Sequence, residues 1–464
     1  MRLVPVFGWT KGVQKALTRR ERFIKAPWSQ GVVLLICVVV AMLLANLPFT
    51  CEVYRNVLET NLQIHIFNDD VNILFPREMT VEKFINDILM VVFFFTVGLE
   101  IKREIRYGEL SSPKKAIMPI IAAFGGVVAP AVIFTIINHG TAASSGWGIP
   151  TATDIAFAVC ILTVLGDKVP IAMKVFLTAL AIADDLIAIL VVAFFYGGSI
   201  NLPLLLVSFG VMGLIMLLRK VGEKRFFPYF LMSIAVWVLF YYSGIHATMT
   251  GVVMAFLIPS TPRYNKSQYY RKRNFYIRKL DEFEGAYGQD FFPNEPQRFC
   301  LMRLQKVASG SINMSSKLEQ VLSTPVNFII MPLFALANAG VQIPSLGYLN
   351  ICAFDAAVGS VGLGIFLGLL LGKPLGITLV SWIAVKFKLG EMPKDTTWPM
   401  FIAVACLGGI GFTMSIFVDT LSFGDQVPMV TEALRNIGKI AVLFGSICSG
   451  ILGTILVNLV CKKK

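Results

Sequence analysis

Long apolar runs separated by short polar ones dominate this chain, and most runs reach the eighteen to twenty residues that a bilayer-spanning helix needs. With a window of about nineteen residues, hydropathy places about twelve spans, near 29–49, 82–103, 116–137, 148–166, 170–196, 202–219, 227–243, 245–259, 322–341, 356–386, 399–420 and 436–460. The first run follows a basic amphipathic start (Lys11, Lys15, Arg19, Arg20, Arg22, Lys25). It is too long and too far from the N-terminus for a signal peptide, and no clear small-residue cleavage site follows, so it is read as a retained helix.

Lys and Arg collect in alternate connections: the N-terminal arm, Lys102/Arg103/Arg106/Lys114/Lys115, Arg219/Lys220/Lys224/Arg225, Lys386/Lys388/Lys394 and the final Lys462-Lys463-Lys464. Connections 138–147, 197–203 and 341–354 carry neither residue. Basic short loops stay cytoplasmic, so an even number of spans puts both termini in the cytoplasm. The fold expected is an all-α polytopic membrane protein, a single integral membrane domain over residues 1–464.

Two segments break the pattern. Residues 61–75 alternate polar and apolar around Asn68-Asp69-Asp70 and read as a small β-hairpin on the periplasmic face. An isolated hairpin is marginal in water, so it either pairs with a second copy to make a homodimer or lies on its own helices. Residues 261–316 form a long cytoplasmic insert loop, polar and rich in Tyr, Phe, Arg and Lys, with no recognisable motif.

Composition agrees with a membrane location. Of the 464 residues 56% are hydrophobic and 15% charged, against about 25% charged in soluble domains. The net charge of +13 sits mainly in loops beside the anionic inner leaflet, so it marks topology and lipid contact rather than nucleic-acid binding. The eight cysteines form no CxxC pair and no metal-ligand spacing, and neither a disulfide framework nor a cofactor is expected.

The candidate chemistry lies in the few polar residues inside spans. Asp184-Asp185 interrupts an otherwise apolar run, at an insertion cost of at least about 2.5–3.5 kcal/mol per charge, which implies a wet cavity, a cation or a proton path. Pro150, Thr151, Thr153 and Asp154 share one span, and Gly408, Gly409 and Gly411 precede Thr413 and Ser415 in another. Each site reads either as a helix broken at mid-membrane, exposing backbone ends to ions, or as glycine-mediated close packing. Lys373, also within a span, is the cation available to an aspartate pair. Competition between Lys373 and a metal ion for a carboxylate would couple ion binding to proton release; the alternative is a purely structural salt bridge. Spans 3–5 carry a broken helix and then the acidic pair, while spans 10–12 carry Lys373 and then a broken helix. Seven spans separate the triplets, so their orientations are opposite: inverted-topology repeats with the two broken helices crossing at mid-membrane.

Several motifs resemble one family. Gly98-Leu-Glu-Ile-Lys-Arg-Glu, Thr151-Ala-Thr-Asp-Ile-Ala-Phe-Ala, Ala181-Ile-Ala-Asp-Asp-Leu, Ser243-Gly-Ile-His-Ala-Thr, Pro332-Leu-Phe-Ala-Leu-Ala-Asn-Ala-Gly, Gly372-Lys-Pro-Leu-Gly and Gly409-Ile-Gly-Phe-Thr-Met-Ser look like the bacterial NhaA-type sodium/proton antiporters, which themselves exemplify the inverted-repeat layout. The resemblance implies a secondary antiporter of the bacterial inner membrane exchanging Na+ or Li+ for H+, pH-regulated and electrogenic. It implies that Asp185 is the principal carboxylate for cation and proton and that Asp184 is its partner, paired with Lys373 when the cation is absent. Thr153 and Asp154 would balance the exposed helix ends. Glu100, Arg103 and Glu104 match the family's pH-sensing cluster, with Glu319 beside it, and Asp87 and His246 match polar positions near the pathway.

Hard oxygen ligands from Asp185, Asp184 and Thr153 suit Na+, and there is no phosphate-binding loop of the GxxxxGK[ST] type. The chain departs from the resemblance in the long insert, and in Gln320 and Ser323 where relatives can carry histidines; imidazole titration in that loop is excluded. A channel or uniporter would tolerate the buried charge but does not need a lysine competing for the pair. A membrane enzyme or scaffold lacks the metal-ligand cluster, nucleophile motif or cofactor loop it would need.

Overall fold

A computed structural model of the chain describes residues 26–62, 79–198, 200–287, 294–343, 359–423 and 428–460. The described residues are helical throughout, in the order α1 (Pro27–Asn46), α2 (Cys51–Glu59), α3 (Val81–Tyr107), α4 (Pro113–Ile137), a 3-10 segment (Ala142–Thr151), α5 (Ile155–Val164), α6 (Ile171–Phe195), α7 (Leu202–Val221), α8 (Phe226–Ser243) and α9 (Met249–Leu257). Then follow α10 (Lys266–Tyr287), α11 (Glu295–Ser311), α12 (Met314–Asn338), α13 (Val361–Lys386), α14 (Trp398–Leu407), α15 (Phe412–Ser422) and α16 (Pro428–Val460). Nine of the described helices are long and apolar enough to cross a membrane, or eleven when two bent pairs count as one span each. The chain is therefore a membrane protein with many apolar helices.

The span expected at 245–259 is represented by α9, whose 9 residues reach about 13.5 Å, under half the ~30 Å of hydrocarbon. The reason is Gly244, in the left-handed conformation at φ 85°, followed by a non-helical turn that delays the helix start to Met249. The hairpin read at 61–75 lies almost wholly outside the described residues. Among those described there is no strand; Asn61 and Thr80 form an isolated antiparallel bridge. The insert is not a plain loop: α10 and α11 lie against each other, and α11 begins with a capping box from Asn294 and Gln297.

Burial sorts the helices. α6, with the Asp pair, has 67% of its apolar window buried, whereas α7 and α8 have 17% and 22% and turn Leu206, Phe209, Leu217 and Leu231 outward. That is the arrangement lipid imposes, since it favours apolar surface outside as readily as within. The centre is held by close backbone crossings. α4 and α13 meet at Gly125 and Gly376, where a Cβ on either would come within 2.4 Å or 2.1 Å of the other's carbonyl oxygen, so only glycine permits the approach.

Among the described residues three spans contain a widened π turn: Ile85–Leu89 in α3, Val326–Ile330 in α12 and Gly368–Gly372 in α13. In the last two a proline follows closely, Pro332 and Pro374. Proline has no N–H for the carbonyl four residues back, so the ladder slips at that point. The slip in α13 ends at Lys373.

Candidate ion-binding site

Both sites read as broken helices are broken. The 3-10 segment and α5 bend by 40° across residues 152–154, and α14 and α15 by 53° across 408–411. Pro150 and the run of small polar residues leave no continuous ladder in the first, and glycines do the same in the second. The breaks touch: a Cβ on Gly411 would lie 3.1 Å from the Ala152 carbonyl oxygen.

The crossing is held by residues of the first break. The Thr153 hydroxyl donates to the Gly408 carbonyl at 2.8 Å and the Asp154 N–H to the Ile410 carbonyl at 2.7 Å. The Asp154 carboxylate caps its own helix by accepting from Ala156 N at 3.0 Å and Phe157 N at 3.3 Å. Its other oxygen accepts from Thr413 N at 3.1 Å and from the Thr413 hydroxyl, at the start of α15. One buried carboxylate therefore serves the N-termini of two helices, where the helix dipole favours negative charge. Phe412, beside Thr413, has a positive φ of 22°, a sign of backbone strain at the break.

Lys373 reaches this crossing from α13. It is fully buried, and its Nζ donates to Asp184 Oδ2 at 2.5 Å and to the Thr153 hydroxyl. Asp184 and Asp185, adjacent on α6, point apart because successive helical residues are turned by about 100°. Asp184 faces Lys373. Asp185, 3% exposed, lines a cleft of about 580 Å³ together with Asp154, Thr413 and Thr96. One buried oxygen of each member, Asp184 Oδ1 and Asp185 Oδ1, has no hydrogen-bond partner. Unsatisfied carboxylate oxygens next to a hydroxyl and an open cleft are the donor set a hard cation needs.

The same cleft reaches Glu100, Arg103 and Glu319. Arg103 pairs with Glu100 at 3.5 Å, with Glu104 at 2.9 Å and with Glu319, which joins α3 to α12. The residues read as a regulatory cluster are thus brought together at the cleft's mouth. Asp87 and His246 are not among its lining residues. Asp87 sits in the π turn of α3, and His246 contacts the Tyr196 carbonyl between α8 and α9.

Two residues carry roles that the sequence did not assign, and a third is a buried carboxylate that it did not single out. Thr413 is the Asp154 partner described above. Lys102 was read as a topological flank, yet its Nζ donates to the Ala255, Phe256 and Ile258 carbonyls at 2.9, 3.0 and 2.5 Å, capping the C-terminus of α9. Asp419 is fully buried on α15; as a lone carboxylate in an apolar run, it offered the same signal as the Asp pair.

Residues 21–457 match the family described as Na+/H+ antiporter 1. The chain belongs to that family. A protein named Na(+)/H(+) antiporter NhaA from Sulfurimonas denitrificans is 38% identical over 455 residues, covering 98% of each chain. One of the same name from Helicobacter acinonychis is 40% identical over 444 residues, covering 96% of each. Among solved structures, the sodium proton antiporter MjNhaP1 from Methanocaldococcus jannaschii is similar at a TM-score of 0.49 and 12% identity, covering 94% of this chain and 98% of that one. In this member of the Na+/H+ antiporter 1 family, four of the motifs that carried the resemblance, those with Thr153-Asp154, Asp184-Asp185, Lys373 and Gly409–Ser415, meet at the crossing.

Proposed function

We propose that this chain is a secondary antiporter that exchanges Na+, or Li+, for H+ across the inner membrane of a bacterial cell, through competition of cation and proton for Asp185 and Asp184. The observation that carries the reading is the buried ion pair of Lys373 with Asp184, beside an Asp185 that opens onto the cleft. A lone buried charge is costly, so Lys373 can leave Asp184 only when another cation replaces it. An entering Na+ would be held by Asp185, Asp184, the Thr153 hydroxyl and carbonyls of the breaks, and its arrival releases protons. Two carboxylates and one ammonium can give up more than one proton for a singly charged ion, which makes the exchange electrogenic. The crossing then rocks to present the ion to the other side, giving alternating access.

Glu100, Arg103, Glu104 and Glu319, at the mouth of the cleft, form the pH-responsive entrance in this reading, working through carboxylates. Asp87 and His246, outside the cleft, act in the state open to the opposite face. The two bent pairs, the nine continuous spans and α9 with its preceding turn make twelve crossings. These are arranged as inverted repeats with both termini in the cytoplasm. Residues 61–75 serve a homodimer contact, and the exposed apolar faces meet the bilayer. The exchange needs no cofactor beyond its transported ions, involves no nucleic acid and is not enzymatic.

Inside-out vesicles test the reading. Added Na+ or Li+ is expected to dissipate a preformed pH gradient across a pH series while K+ does not, and Asp185→Asn is expected to abolish the response. An Asp185→Asn protein that responds like the parent would sink the assignment.

A further inference from the structure

The cleft holds uncharged polar side chains to which no role has yet been given. Thr96 on α3, Thr178 on α6 and Asn327 on α12 all line it, among apolar residues such as Phe93, Val97 and Val159. Helix geometry fixes their depth. Thr96 stands one turn, about 6 Å, inward from Glu100, and Asn327 about 12 Å inward from Glu319. Thr178 stands two turns, about 10.5 Å, before Asp185 on the same face of α6. α6 starts on the mouth side, because α5 before it runs there from the break with Ile155, Ala156 and Val159 along the cleft. Three helices therefore each place a neutral oxygen between the mouth and the Asp pair.

Both threonines commit their hydroxyl proton to their own helix: Thr96 donates to the Val92 carbonyl at 2.9 Å and Thr178 to the Lys174 carbonyl at 3.0 Å. A hydroxyl has one proton and two lone pairs, so what remains for the cleft is acceptor capacity alone. Such an oxygen attracts a cation and offers nothing to an anion. A threonine bonded back to its own helix is comfortable in any apolar span, and one by itself would say nothing. Asn327 is of another kind: it is a half-buried amide in the π turn Val326–Ile330 of a spanning helix, where a polar side chain is costly unless it faces a wet cavity. A hydrated Na+ that passes the carboxylates of the mouth must shed water before Asp185 can hold it directly, and hydration lost without replacement is the expensive step. Neutral oxygens partway lower that cost and bind too weakly to detain the ion.

We propose that Thr96, Thr178 and Asn327 form a second cation station in the cleft, where an incoming Na+ or Li+ exchanges part of its hydration shell for side-chain oxygens on the way to Asp185. The station sets how fast an ion arrives, not how tightly Asp185 holds it. The inference rests on the antiport reading above.

The test uses the full chain in inside-out vesicles, with the initial rate of pH-gradient dissipation followed against Na+ concentration, and Na+ binding to the purified protein measured by calorimetry. Thr96→Val combined with Thr178→Val keeps the side-chain shape and removes both hydroxyls. It is expected to raise the half-saturating Na+ concentration by about five-fold or more, with the maximal rate within about two-fold of the parent and the equilibrium affinity unchanged. Thr96→Ser combined with Thr178→Ser keeps the oxygens and is expected to behave as the parent. A valine pair with the parent's half-saturation overturns the station, and so does a serine pair impaired as much as the valine pair, which would make shape the cause. Equilibrium affinity that falls in step with half-saturation also overturns it, by placing the threonines in the Asp185 site itself. If the valine pair fails to assemble, Asn327→Leu, with the same expected shift, decides. A parent that shows no Na+ response removes the antiport reading and the station with it; a parent that responds beside unaltered variants removes the station alone.

Discussion

The two breaks solve one problem in different ways. The first, at residues 152–154, carries its own carboxylate: Asp154 caps α5 directly. The second, at 408–411, carries glycines and no acid, and α15 receives no side-chain cap from the residue before it. Its N-terminus is served by the same Asp154, through Thr413, and its exposed carbonyls by Thr153 and the Asp154 N–H. An unpaired backbone group in hydrocarbon costs several kcal/mol, so the glycine break depends on the acidic one, with α16 helping where Ser446 accepts from Phe412 N at 3.1 Å and Ser449 donates to the Cys406 carbonyl at 2.9 Å. The acidic break supplies the charge, and the glycine break lets the backbone come close enough to use it.

If the crossing is shared in this way, its parts should fail in a definite order. Lys373→Ala is expected to have the largest effect, a loss of about 3–5 kcal/mol with loss of exchange, because Asp184 is left as an uncompensated buried charge; an unaltered melting temperature in detergent would argue against the pairing. Asp154→Leu should come next at about 2–4 kcal/mol, since it strips donors of both helices at about 1–3 kcal/mol for each group left unmet. The comparison is sharpened by where the damage falls. Hydrogen exchange is expected to rise in the first turns of α5 and α15 together, and a rise confined to α5 would show that the glycine break stands alone. Thr413→Val removes one hydroxyl donor and should cost about 1 kcal/mol, confined to α15. In a double-mutant cycle, Asp154→Leu and Thr413→Val should couple by about 0.5–1 kcal/mol; additive losses would mean that the contact contributes nothing to stability.

Much of this was legible in the chain. Asp184-Asp185 and Lys373 stood out because charge inside an apolar run is expensive, and both breaks were marked by residues that weaken helices. Partners far apart in sequence were not legible: nothing local to Thr413 says that its hydroxyl belongs to Asp154, 259 positions earlier. Lys102 misled because it sits among flanking basic residues, whose usual explanation is topology. The insert reads as a loop because α10 mixes both signs of charge with aromatic residues and shows no motif, although Asn294-Glu295-Pro296-Gln297 spells a helix start. Asp419 was missed although its signal matched that of the pair, because it sits beside Thr420 and Ser422 near a span's end, where a carboxylate is ordinarily solvated.

The widened turn before Lys373 has a consequence for locating any residue by counting. A π turn takes one residue more than a helical turn, so every position after Gly372 occupies the angular place that its predecessor would hold in an uninterrupted helix. A helical wheel drawn straight through α13 therefore misplaces Lys373 by about 100°. The face on which the ammonium meets Asp184 is a matter of residue number as much as of residue type.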